Sequence, residues 1–505
     1  MRRTNLRKGR KRMLLRLMAL LLSLLTLAGA LAACKTDPKD PTESQTEDTG
    51  RDTGGTDATE SYYPLSGDYG GRSFSILARS EYPYEFDVNE AGSDDVANAV
   101  YARNLAVETA YKINIEVTTL FDSYQNNEML DRLNNLYATG AADEDYDLIG
   151  GTQYRAAGLI PNGWFRNWNE LNYIDLEADA WKNGLTEGMT VNEKTYGISG
   201  DLSIAFWKCM TSMLFNKNWV IDVWDENLYQ VVNDGKWTYE YFKRVVLAAS
   251  NNDGASPDDG DKTGVYGFGS DHDVAIDGFV AAFGLNLISK NEEGKLSLSD
   301  LASEKVINFV DEMQSFYTSE NHYAWAYIGV DPSFYFRKKQ IMIAPMRFEM
   351  IERMLDWEGD YGVIPYPKYD SQQEEYASPM TDGATLFMIP NTNRDTDFTC
   401  IITSALAEES VRGVIPRYYE RVIKSKGARD PQSYQMLDLI RKTCTMDYSV
   451  LYCLYAKDLI RSTINSVIKP SRPAEKNYMS NYEHNLEKMQ DQVKKLNEFY
   501  FGTGS

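Results

Sequence analysis

A repeated change of hydrophobic period along residues 73–151 constrains the fold more than any other feature of this sequence. Residues 73–78 form an apolar strand candidate, and residues 112–117 alternate apolar and polar side chains as a half-buried strand does. A helix-period segment follows each of them, and a third strand candidate covers residues 146–149. Strand, helix, strand, helix and strand in this order predict a parallel α/β sheet.

The two predicted helices have recognisable ends and apolar faces. Ser93 is expected to cap the first helix, whose opening turn carries Asp94 and Asp95. Its apolar face consists of Val96, Val100, Val107 and Tyr111. The second helix has Leu130, Leu133 and Tyr137 on one face and Gly140 as its stop signal.

A parallel sheet also predicts where a ligand would bind. In such sheets ligands lie beyond the carboxyl ends of the strands. This rule nominates Ser80 after the first strand, and Gln153 and Tyr154 after the third. The alternative for each is an ordinary surface position in a loop.

The N-terminus has the pattern of an export signal. Eight basic residues between Arg2 and Arg16 precede an apolar run that ends in small residues at Ala33. The run closes on Leu31-Ala32-Ala33-Cys34, which is similar to the bacterial lipobox, in which the cysteine is acylated after cleavage. The alternative is a signal-anchor helix with an accidental cysteine. We expect a signal peptide over residues 1–33 and a protein held to the outer face of the cell membrane through lipid on Cys34.

The next segment and the net charge narrow the function further. Residues 34–64 are mostly polar and acidic, which predicts a solvated tether. The chain has 52 basic and 74 acidic residues, so nucleic acid is an improbable partner. The remaining 65–505 are long enough for a two-lobed body.

Cysteine and histidine are scarce, which excludes several kinds of site. Cys209, Cys400, Cys444 and Cys453 have no spacing typical of a disulfide framework or a zinc site, although Cys444 and Cys453 are close enough in sequence to pair. The three histidines are widely dispersed, which excludes an HExxH protease and disfavours a histidine-dependent triad. We predict no metal and no cofactor.

A series of motifs in a fixed order resembles a known family. Residues 194–199, Lys-Thr-Tyr-Gly-Ile-Ser, and 213–217, Met-Leu-Phe-Asn-Lys, resemble the crossing segment of extracellular solute-binding proteins of family 1, the ligand receptors of ABC sugar importers. Ser199 stands where that family usually has proline, and Phe215 where tyrosine is common.

Four later passages follow the order of the same family. In one of them, Thr238 is expected to cap a helix while Trp237 packs on Phe242 as a hydrophobic staple. The four passages are residues 236–242, 336–343, 360–368 and 383–390, and the resemblance covers roughly residues 72–470.

The resemblance implies a fold and a division into lobes. The expected fold is α/β and type II periplasmic-binding-protein-like, with two lobes joined by crossing strands. The first lobe would comprise about 65–195 plus 330–365, and the second about 196–329 plus 366–505. The extra length relative to many sugar receptors would lie around residues 251–263 and in the C-terminal helices.

Aromatic content supports a sugar ligand and suggests further binding residues. The chain has 34 tyrosines and nine tryptophans, and sugars need flat apolar platforms beside paired polar groups. Trp207 lies shortly after Asp201 in the crossing segment and meets both needs. Further candidates are Trp325, Arg347 and Asp382, and each of the five has a core or surface role as its alternative.

Other short motifs give weaker indications of a functional site. Residues 259–264 resemble the start of a calcium loop, but Ser270 occupies the position of the bidentate glutamate, so a solvated acidic loop is the preferred interpretation. A phosphate loop near Lys262, a dinucleotide motif at Gly267 and a GxSxG elbow are all excluded by their spacing or absence.

The C-terminal region predicts two amphipathic helices. Asp430 before Pro431 is expected to cap the first helix. The second helix has apolar residues at spacings of three and four positions, which favours packing on the body over a coiled-coil partner. Its apolar residues are Leu486, Met489, Val493, Leu496 and Tyr500.

The sequence therefore predicts a lipid-anchored, monomeric, extracellular receptor without enzymatic activity. It would bind a carbohydrate, most simply an oligosaccharide, between two lobes and deliver it to the permease of an ABC importer. The alternatives are a surface-anchored glycoside hydrolase, which would need two carboxylates across a cleft, and a purely adhesive lipoprotein.

Overall fold

The computed structural model describes residues 61–502 apart from nine short gaps. The gaps are residues 89–91, 93, 124–125, 140–145, 252–263, 319–323, 328–330, 453–458 and 469–476. The predicted signal peptide, Cys34, the acidic loop and Cys453 therefore lie outside the described residues. The body begins at Ser61, before the predicted start at residue 65, because Tyr63 is buried in the first-lobe core and Tyr111 donates a hydrogen bond to the carbonyl of Pro64 (2.6 Å).

Fifteen strands are present among the described residues. They are β1 (Ser73–Arg79), β2 (Asn114–Leu120), β3 (Leu148–Thr152), β4 (Thr190–Val191), β5 (Lys194–Thr195), β6 (Thr211–Asn216), β7 (Tyr266–Asp271), β8 (Ile288–Lys290), β9 (Leu296–Leu298), β10 (Ala324–Tyr327), β11 (Ile341–Arg347), β12 (Tyr361–Ile364), β13 (Ser378–Pro379), β14 (Thr385–Met388) and β15 (Cys444–Thr445).

The described helices alternate with these strands through most of the chain. They are α1 (Asp95–Tyr111), α2 (Glu128–Thr139), α3 (Gln153–Leu159), α4 (Gly184–Met189), α5 (Ile204–Lys208), α6 (Lys217–Trp224), α7 (Leu228–Asn233), α8 (Tyr239–Ala249), α9 (His272–Ala282), α10 (Glu304–Thr318), α11 (Pro332–Arg337), α12 (Phe348–Glu352), α13 (Thr396–Glu409), α14 (Pro431–Lys442), α15 (Tyr448–Leu451), α16 (Leu459–Ile468) and α17 (Tyr478–Phe501). Short 3-10 turns cover Pro83–Glu85, Ile160–Asn162 and Trp168–Glu170, and π-helical segments cover Ser410–Val414 and Arg417–Gly427.

The first sheet has the predicted parallel arrangement. Its strand order is β14-β3-β1-β2, in which β1 pairs in parallel with both β2 and β3, while β14 is antiparallel to β3. The predicted apolar face of α1 is buried. Its cap is Asp94, whose carboxylate accepts a hydrogen bond from the amide of Ala97, whereas Ser93 lies outside the described residues. The buried stripe of α2 is Met129, Leu133 and Leu136, so Leu130 and Tyr137 are only half-buried.

The second sheet has five strands in the order β10-β7-β11-β6-β12. Strand β11 lies at its centre, parallel to β7 and antiparallel to β6, with Arg347 opposite Thr211. Next to this sheet, Thr238 caps α8, and the rings of Trp237 and Phe242 lie 5.9 Å apart as the predicted staple. An aromatic core that includes Phe242, Phe268 and Phe279 fills the second lobe.

The sheets divide the chain differently from the predicted lobes. Strands β11 and β12 belong to the second sheet, so the assignment of residues 330–365 to the first lobe is wrong. The physical reason is that Ile341–Met346 are all buried, as a central strand requires, and they pair with β6 and β7. The chain returns to the first sheet later, at β14, and α13 then packs on α1, so the assignment of all of 366–505 to the second lobe is also wrong.

Three segments connect the two lobes. The first runs from Ile198, which pairs with Phe387 of the first lobe, through α5 to β6. The second runs from β13 to β14, and Met210 pairs with Met380 where these two segments lie side by side. The third contains the π-helical segments, which follow α13 on the first lobe and precede α14 on β12 of the second. The predicted crossing architecture is confirmed.

The C-terminal helices pack on the body. Asp430 caps α14, with Pro431 in its first turn, as predicted. Helix α17 buries Met489, Val493, Leu496 and Tyr500 and contacts α16 and β9. Its apolar stripe is therefore occupied within the chain, and no coiled-coil partner is needed to cover it.

Candidate functional site

The carboxyl ends of the strands in both sheets meet the crossing segments. In the first sheet, β1 ends at Arg79, whose guanidinium donates to the Thr152 hydroxyl (3.1 Å) at the end of β3 and to the carbonyl of Gly383 (2.5 Å) in the second crossing. In the second sheet, β11 ends at Arg347 beside the start of β6. Residues that follow β1 and β11 therefore face each other across the junction of the lobes.

The turn after β1 brings two tyrosines to this junction. Tyr82 directly precedes the 3-10 turn and Tyr84 lies within it, and the Arg79 guanidinium lies 4.4 Å from the centre of the Tyr82 ring. The turn is fixed by Glu85, which is only 1% exposed. Its carboxylate accepts hydrogen bonds from the Ser203 hydroxyl, the Ala205 amide (3.0 Å) and the Thr385 hydroxyl (2.9 Å). The tyrosine pair is thus positioned by contacts to both crossing segments.

The opposite side of the junction is formed by α5 and α12. Lys208 ends α5 in the first crossing, and Glu349, Glu352 and Arg353 lie on or just after α12, which follows β11. The Glu349 carboxylate also forms an ion pair with the Arg347 guanidinium (2.5 Å). Because α12 starts directly at the carboxyl end of β11, its acidic side chains lie at the edge of the second sheet.

Two hydrogen bonds join the sides across a cavity. The Tyr82 hydroxyl donates to Glu349 (2.6 Å), and the Lys208 ammonium donates to the Tyr84 hydroxyl (2.7 Å) while it pairs with Glu352 (3.1 Å). The cavity has a volume of about 450 Å³. Its lining comprises Glu81, Tyr82, Tyr84, Lys208, Glu349, Glu352 and Arg353. We call this group the cleft cluster.

Burial and close partners keep the Tyr82 hydroxyl and the Lys208 ammonium of the cleft cluster protonated. Burial raises the pKa of the Tyr82 hydroxyl far above its usual range, and the nearby Glu349 adds to the effect. Burial alone would lower the pKa of Lys208, but Tyr84 and Glu352 outweigh it and the pKa is raised. At neutral pH the cleft therefore offers neutral tyrosines and a charged lysine, which are hydrogen-bond donors of fixed orientation.

This arrangement can recognise a ligand that has many hydroxyl groups. Carboxylates accept in pairs from adjacent hydroxyls, while lysine and arginine donate, and two tyrosine rings provide flat apolar surface. A cavity of this size with convergent polar groups falls within the usual range of small-molecule sites. A wider groove of about 820 Å³, which includes Thr238, Arg244 and Lys368, is formed by the second lobe alone.

Two of the residues predicted from the sequence adjoin the cleft cluster. Ser80 directly precedes Glu81, and Arg347 pairs with Glu349. Neither lines the cavity itself, so their part in binding stays a prediction. Trp325 belongs to β10 at the edge of the second sheet, and its side chain is outside the described residues.

Asp201 and Trp207 pair with each other, as their spacing suggested, but away from the cavity lining. The indole Nε1–H of Trp207 donates to the Asp201 carboxylate (2.8 Å), and its ring packs on Tyr419 with centroids 5.0 Å apart. Trp207 is only 4% exposed. Burial raises the pKa of Asp201 to about 7, although the Trp207 hydrogen bond and Arg441 act to lower it. The pair connects the first crossing to the π-helical segment.

Gln153, Tyr154 and Asp382 are close together in the fold. Gln153 and Tyr154 open α3 instead of lying in a loop, so the predicted loop position is wrong. The Gln153 amide is fully buried and donates to the Leu451 carbonyl (2.7 Å), and the Tyr154 amide donates to the Asp382 carbonyl (3.0 Å). The three residues nominated from the sequence are therefore neighbours in the fold, although none of them lines the cleft cavity.

The Asp382 carboxylate belongs to a second polar group, which we call the closed cluster: Asp277, Asp382, Arg461 and Asn465. Arg461 pairs with Asp277 (2.5 Å) and Asp382 (3.4 Å), and the Asn465 amide donates to Asp277 (3.1 Å). The space beside these residues is about 20 Å³, room for about one water molecule. This cluster ties α9, the second crossing and α16 together.

Sequence reasoning missed the cleft cluster itself. The signal was present at residues 81–85, Glu-Tyr-Pro-Tyr-Glu, where two aromatic and two acidic residues directly follow a predicted strand. The other side was harder to find, because Tyr82 and its partner Glu349 are 267 positions apart.

The described residues show little that would hold a metal or cross a membrane. Within residues 61–502 and outside the gaps, no group of three or more His, Cys, Asp or Glu side chains is arranged to hold a metal ion. No helix in the described part of the chain is long and apolar enough to span a bilayer. Cys209, Cys400 and Cys444 are free thiols.

Several solved structures share this fold, and the first two described here are ABC-transporter substrate-binding proteins. One, from Thermotoga lettingae and bound to α-D-tagatose, is 14% identical with a TM-score of 0.53, covering 84% of this chain and 100% of its own. Another, from Listeria monocytogenes in complex with cycloalternan, is 12% identical with a TM-score of 0.53, covering 84% and 99%. UgpB from Mycobacterium tuberculosis, in complex with glycerophosphocholine, is 12% identical with a TM-score of 0.55, covering 84% and 99%.

These similarities confirm the type II binding-protein fold class that the sequence motifs implied. No family model matches the chain, and no curated protein matches it in sequence. At such low identity the fold is shared, and the function has to be argued from the site.

Proposed function

We propose that this protein is the extracellular solute receptor of an ABC importer and that it binds a carbohydrate in the cleft cluster. The observation that carries the proposal is the cavity itself. Both lobes line it, and the hydrogen bonds from Tyr82 to Glu349 and from Lys208 to Tyr84 bridge it. Tyrosine rings, carboxylates and cations around one space suit a sugar ring and its hydroxyls. The structural neighbours that were solved with sugars support the same ligand class.

Binding would act by closing the lobes. Contacts from the ligand to both sides of the cavity exist together only in a closed form, so the ligand shifts the population of conformations towards that form. The permease would recognise the closed form and receive the solute unchanged. Three crossing segments near the cavity provide the places where the backbone can bend.

The location follows from the N-terminal sequence. We place the protein at the outer face of the cell membrane as a monomer, anchored through lipid on Cys34 after removal of residues 1–33. The acidic segment that follows would give it reach, and the acidic surface disfavours nucleic acid. Carbohydrate, permease subunits and the membrane are then its partners, and no cofactor is needed.

A panel of ligands tests this proposal. Thermal shift of the purified protein is measured with monosaccharides, oligosaccharides, polyols and peptides, and the sugars are analysed by chromatography after incubation. We expect at least one saccharide to raise the melting temperature and to be recovered uncut. Recovery of shortened sugars would instead establish the glycoside hydrolase, and no response to any small molecule would favour an adhesive protein.

Scattering from the protein with and without the responding sugar tests the closing motion. We expect a smaller radius of gyration at saturation. An unchanged radius with measured binding would contradict lobe closure and leave binding itself intact.

A further inference from the structure

A groove on the second lobe contains a buried lysine without a counter-charge. The groove has a volume of about 820 Å³ and is lined by Lys368, by the turn between α7 and α8, and by the first turn of α8. Lys368 is only 5% exposed. Within the described part of the chain its ammonium forms no hydrogen bond and no ion pair, and it lies over the Tyr376 ring, 5.4 Å from the ring centre. We call this space the second-lobe groove.

The backbone holds Lys368 against the start of α8. The Lys368 amide donates to the Trp237 carbonyl (3.0 Å), and the Tyr239 amide donates to the Lys368 carbonyl (2.7 Å). The ammonium lies beside the turn that precedes α8, because a side-chain carbon placed on Gly235 would be 3.4 Å from the Lys368 Nζ. Gly235 also lines the second-lobe groove, so the ammonium lies at the wall of the groove.

The surroundings of this ammonium favour an anion. Lysine is almost never fully buried unless it is paired, because removing its charge from water without a partner is costly. Helix α8 begins at Tyr239, and the N-terminus of a helix carries partial positive charge. Thr238 and Tyr241, at this end of α8, line the same groove. The ammonium and the helix end therefore place positive potential at one point of the wall, and an anionic group would satisfy both.

The other charged groups of the groove do not neutralise Lys368. Two of the carboxylates that line it, Asp234 and Glu240, pair with other lysines at 3.0 Å. Glu374 also lines the groove and forms no ion pair with Lys368. Arg244 adds a second cation, which lies over the Tyr241 ring at 4.9 Å and has no ion pair in the described part of the chain.

We propose that the second-lobe groove binds a small organic molecule through an anionic group, a carboxylate or a phosphate, with Lys368 as its counter-charge. The ammonium would donate charge-assisted hydrogen bonds to the anionic oxygens. The groove is larger than one such group requires, and the Ser371 hydroxyl and the Tyr241 ring would contact the rest of the molecule. This site lies on the second lobe alone, outside the cleft cluster, and it does not depend on the proposed function.

Thermal shift of the full protein with the bare anionic groups tests the proposal. The probes are inorganic phosphate and acetate, each compared with chloride at the same ionic strength, for wild type, Lys368→Met and Lys290→Met. Lys290 is the matched control, because it is an exposed lysine of β8 whose ammonium also lies over a tyrosine ring, at 5.3 Å, and it does not line the groove.

We expect phosphate or acetate to raise the melting temperature of wild type and of Lys290→Met by at least about 1 °C more than chloride does. For Lys368→Met the two oxyanions should act no differently from chloride. The oxyanion that gives the larger shift identifies the group as phosphate or carboxylate. Equal shifts of wild type with chloride and with both oxyanions would overturn the site, and so would an undiminished response of Lys368→Met.

The melting temperature in chloride alone is a second measurement. Lys368→Met removes a buried charge and keeps an unbranched side chain, so it should raise the melting temperature, whereas Lys290→Met should leave it unchanged. A lowered melting temperature for Lys368→Met would show that the chain itself satisfies the ammonium, which would overturn the proposal. Saccharide binding in the cleft is measured with other ligands, so these outcomes leave the proposed function untouched.

Discussion

The cleft cluster and the closed cluster are both polar groups at the junction of the lobes, yet they differ in the space around them. The cleft cluster surrounds about 450 Å³, whereas the closed cluster leaves about 20 Å³. In the first, the Tyr82 hydrogen bond to Glu349 joins opposite lobes across a cavity, and the Lys208 hydrogen bond to Tyr84 joins the first crossing to the first lobe. In the second, Arg461 satisfies two carboxylates and holds a C-terminal helix against the body.

Similar residues can therefore serve either binding or stability, depending on the space around them. Carboxylates and cations with room between them can exchange their partners for ligand hydroxyls. Where no cavity lies beside them, the same groups form ion pairs that stabilise the fold. Removing one member of such a pair leaves an uncompensated charge. We therefore expect substitutions in the closed cluster to affect stability and substitutions in the cleft cluster to affect affinity.

The largest expected effect is on stability, from Arg461→Ala. Removing the guanidinium takes away the cation that pairs with the buried Asp277 carboxylate, which should lower the free energy of unfolding by about 3 kcal/mol. Urea unfolding measures this change. Asn465→Ala, which removes one hydrogen bond to the Asp277 carboxylate but no charge, is the control and should cost about 1.5 kcal/mol. If Arg461→Ala lowered the free energy of unfolding no more than the control did, the closed cluster would not be a source of stability.

A smaller effect comes from Asp201, whose pKa is raised to about 7 by burial. The folded state binds the proton more tightly than the unfolded state does, so the stability from protonated Asp201 is fully present below about pH 4 and is lost as the pH rises through about 7. We expect unfolding free energy to fall by about 2 kcal/mol from pH 5.5 to pH 8 because of this group. Asp201→Asn should flatten that part of the profile, and an unchanged slope would show that Asp201 does not titrate there.

The next prediction concerns affinity and Tyr82→Ala. Losing the ring and its hydrogen bond to Glu349 should weaken the responding saccharide about tenfold in calorimetry. Urea unfolding should change by only about 1 kcal/mol, because the residue is not in the core. Tyr173→Ala, at an exposed tyrosine of the first lobe, is the matched control. Equal affinities of both variants would remove Tyr82 from the site.

The smallest expected effect is that of Trp207→Phe on affinity. This change keeps a ring beside Tyr419 but removes the hydrogen bond to Asp201, so we expect about 1 kcal/mol of lost stability and an affinity within twofold of wild type. A large loss of affinity would return Trp207 to the binding site, as its sequence position first suggested.

Local pattern predicted the elements well because their causes are local. Several correctly predicted features are each determined by residues only a few positions apart. They are strand β1, the apolar face of α1, the Thr238 cap with its Trp237 staple, and the Asp430 cap. The order of family motifs added the two-lobed fold. These predictions need only periodicity and capping chemistry.

Long-range pairing set the limit of what the sequence could predict. Assigning β11 to the correct sheet requires knowing that Arg347 lies opposite Thr211. Likewise, nothing near Lys208 indicates that its partners will be Tyr84 and Glu352. The candidate residues were therefore chosen one at a time from strand ends and aromatic character, which found Ser80 and Arg347 beside the cavity but not its lining.

A crystal structure of the protein with the saccharide that gives the largest thermal shift tests the central claim most directly. We predict an intact sugar between the lobes, with its ring against Tyr82 or Tyr84 and its hydroxyls within hydrogen-bond distance of Glu349 and Lys208. A sugar bound instead in the groove beside Lys368, or a cleaved product in the cleft, would contradict the account.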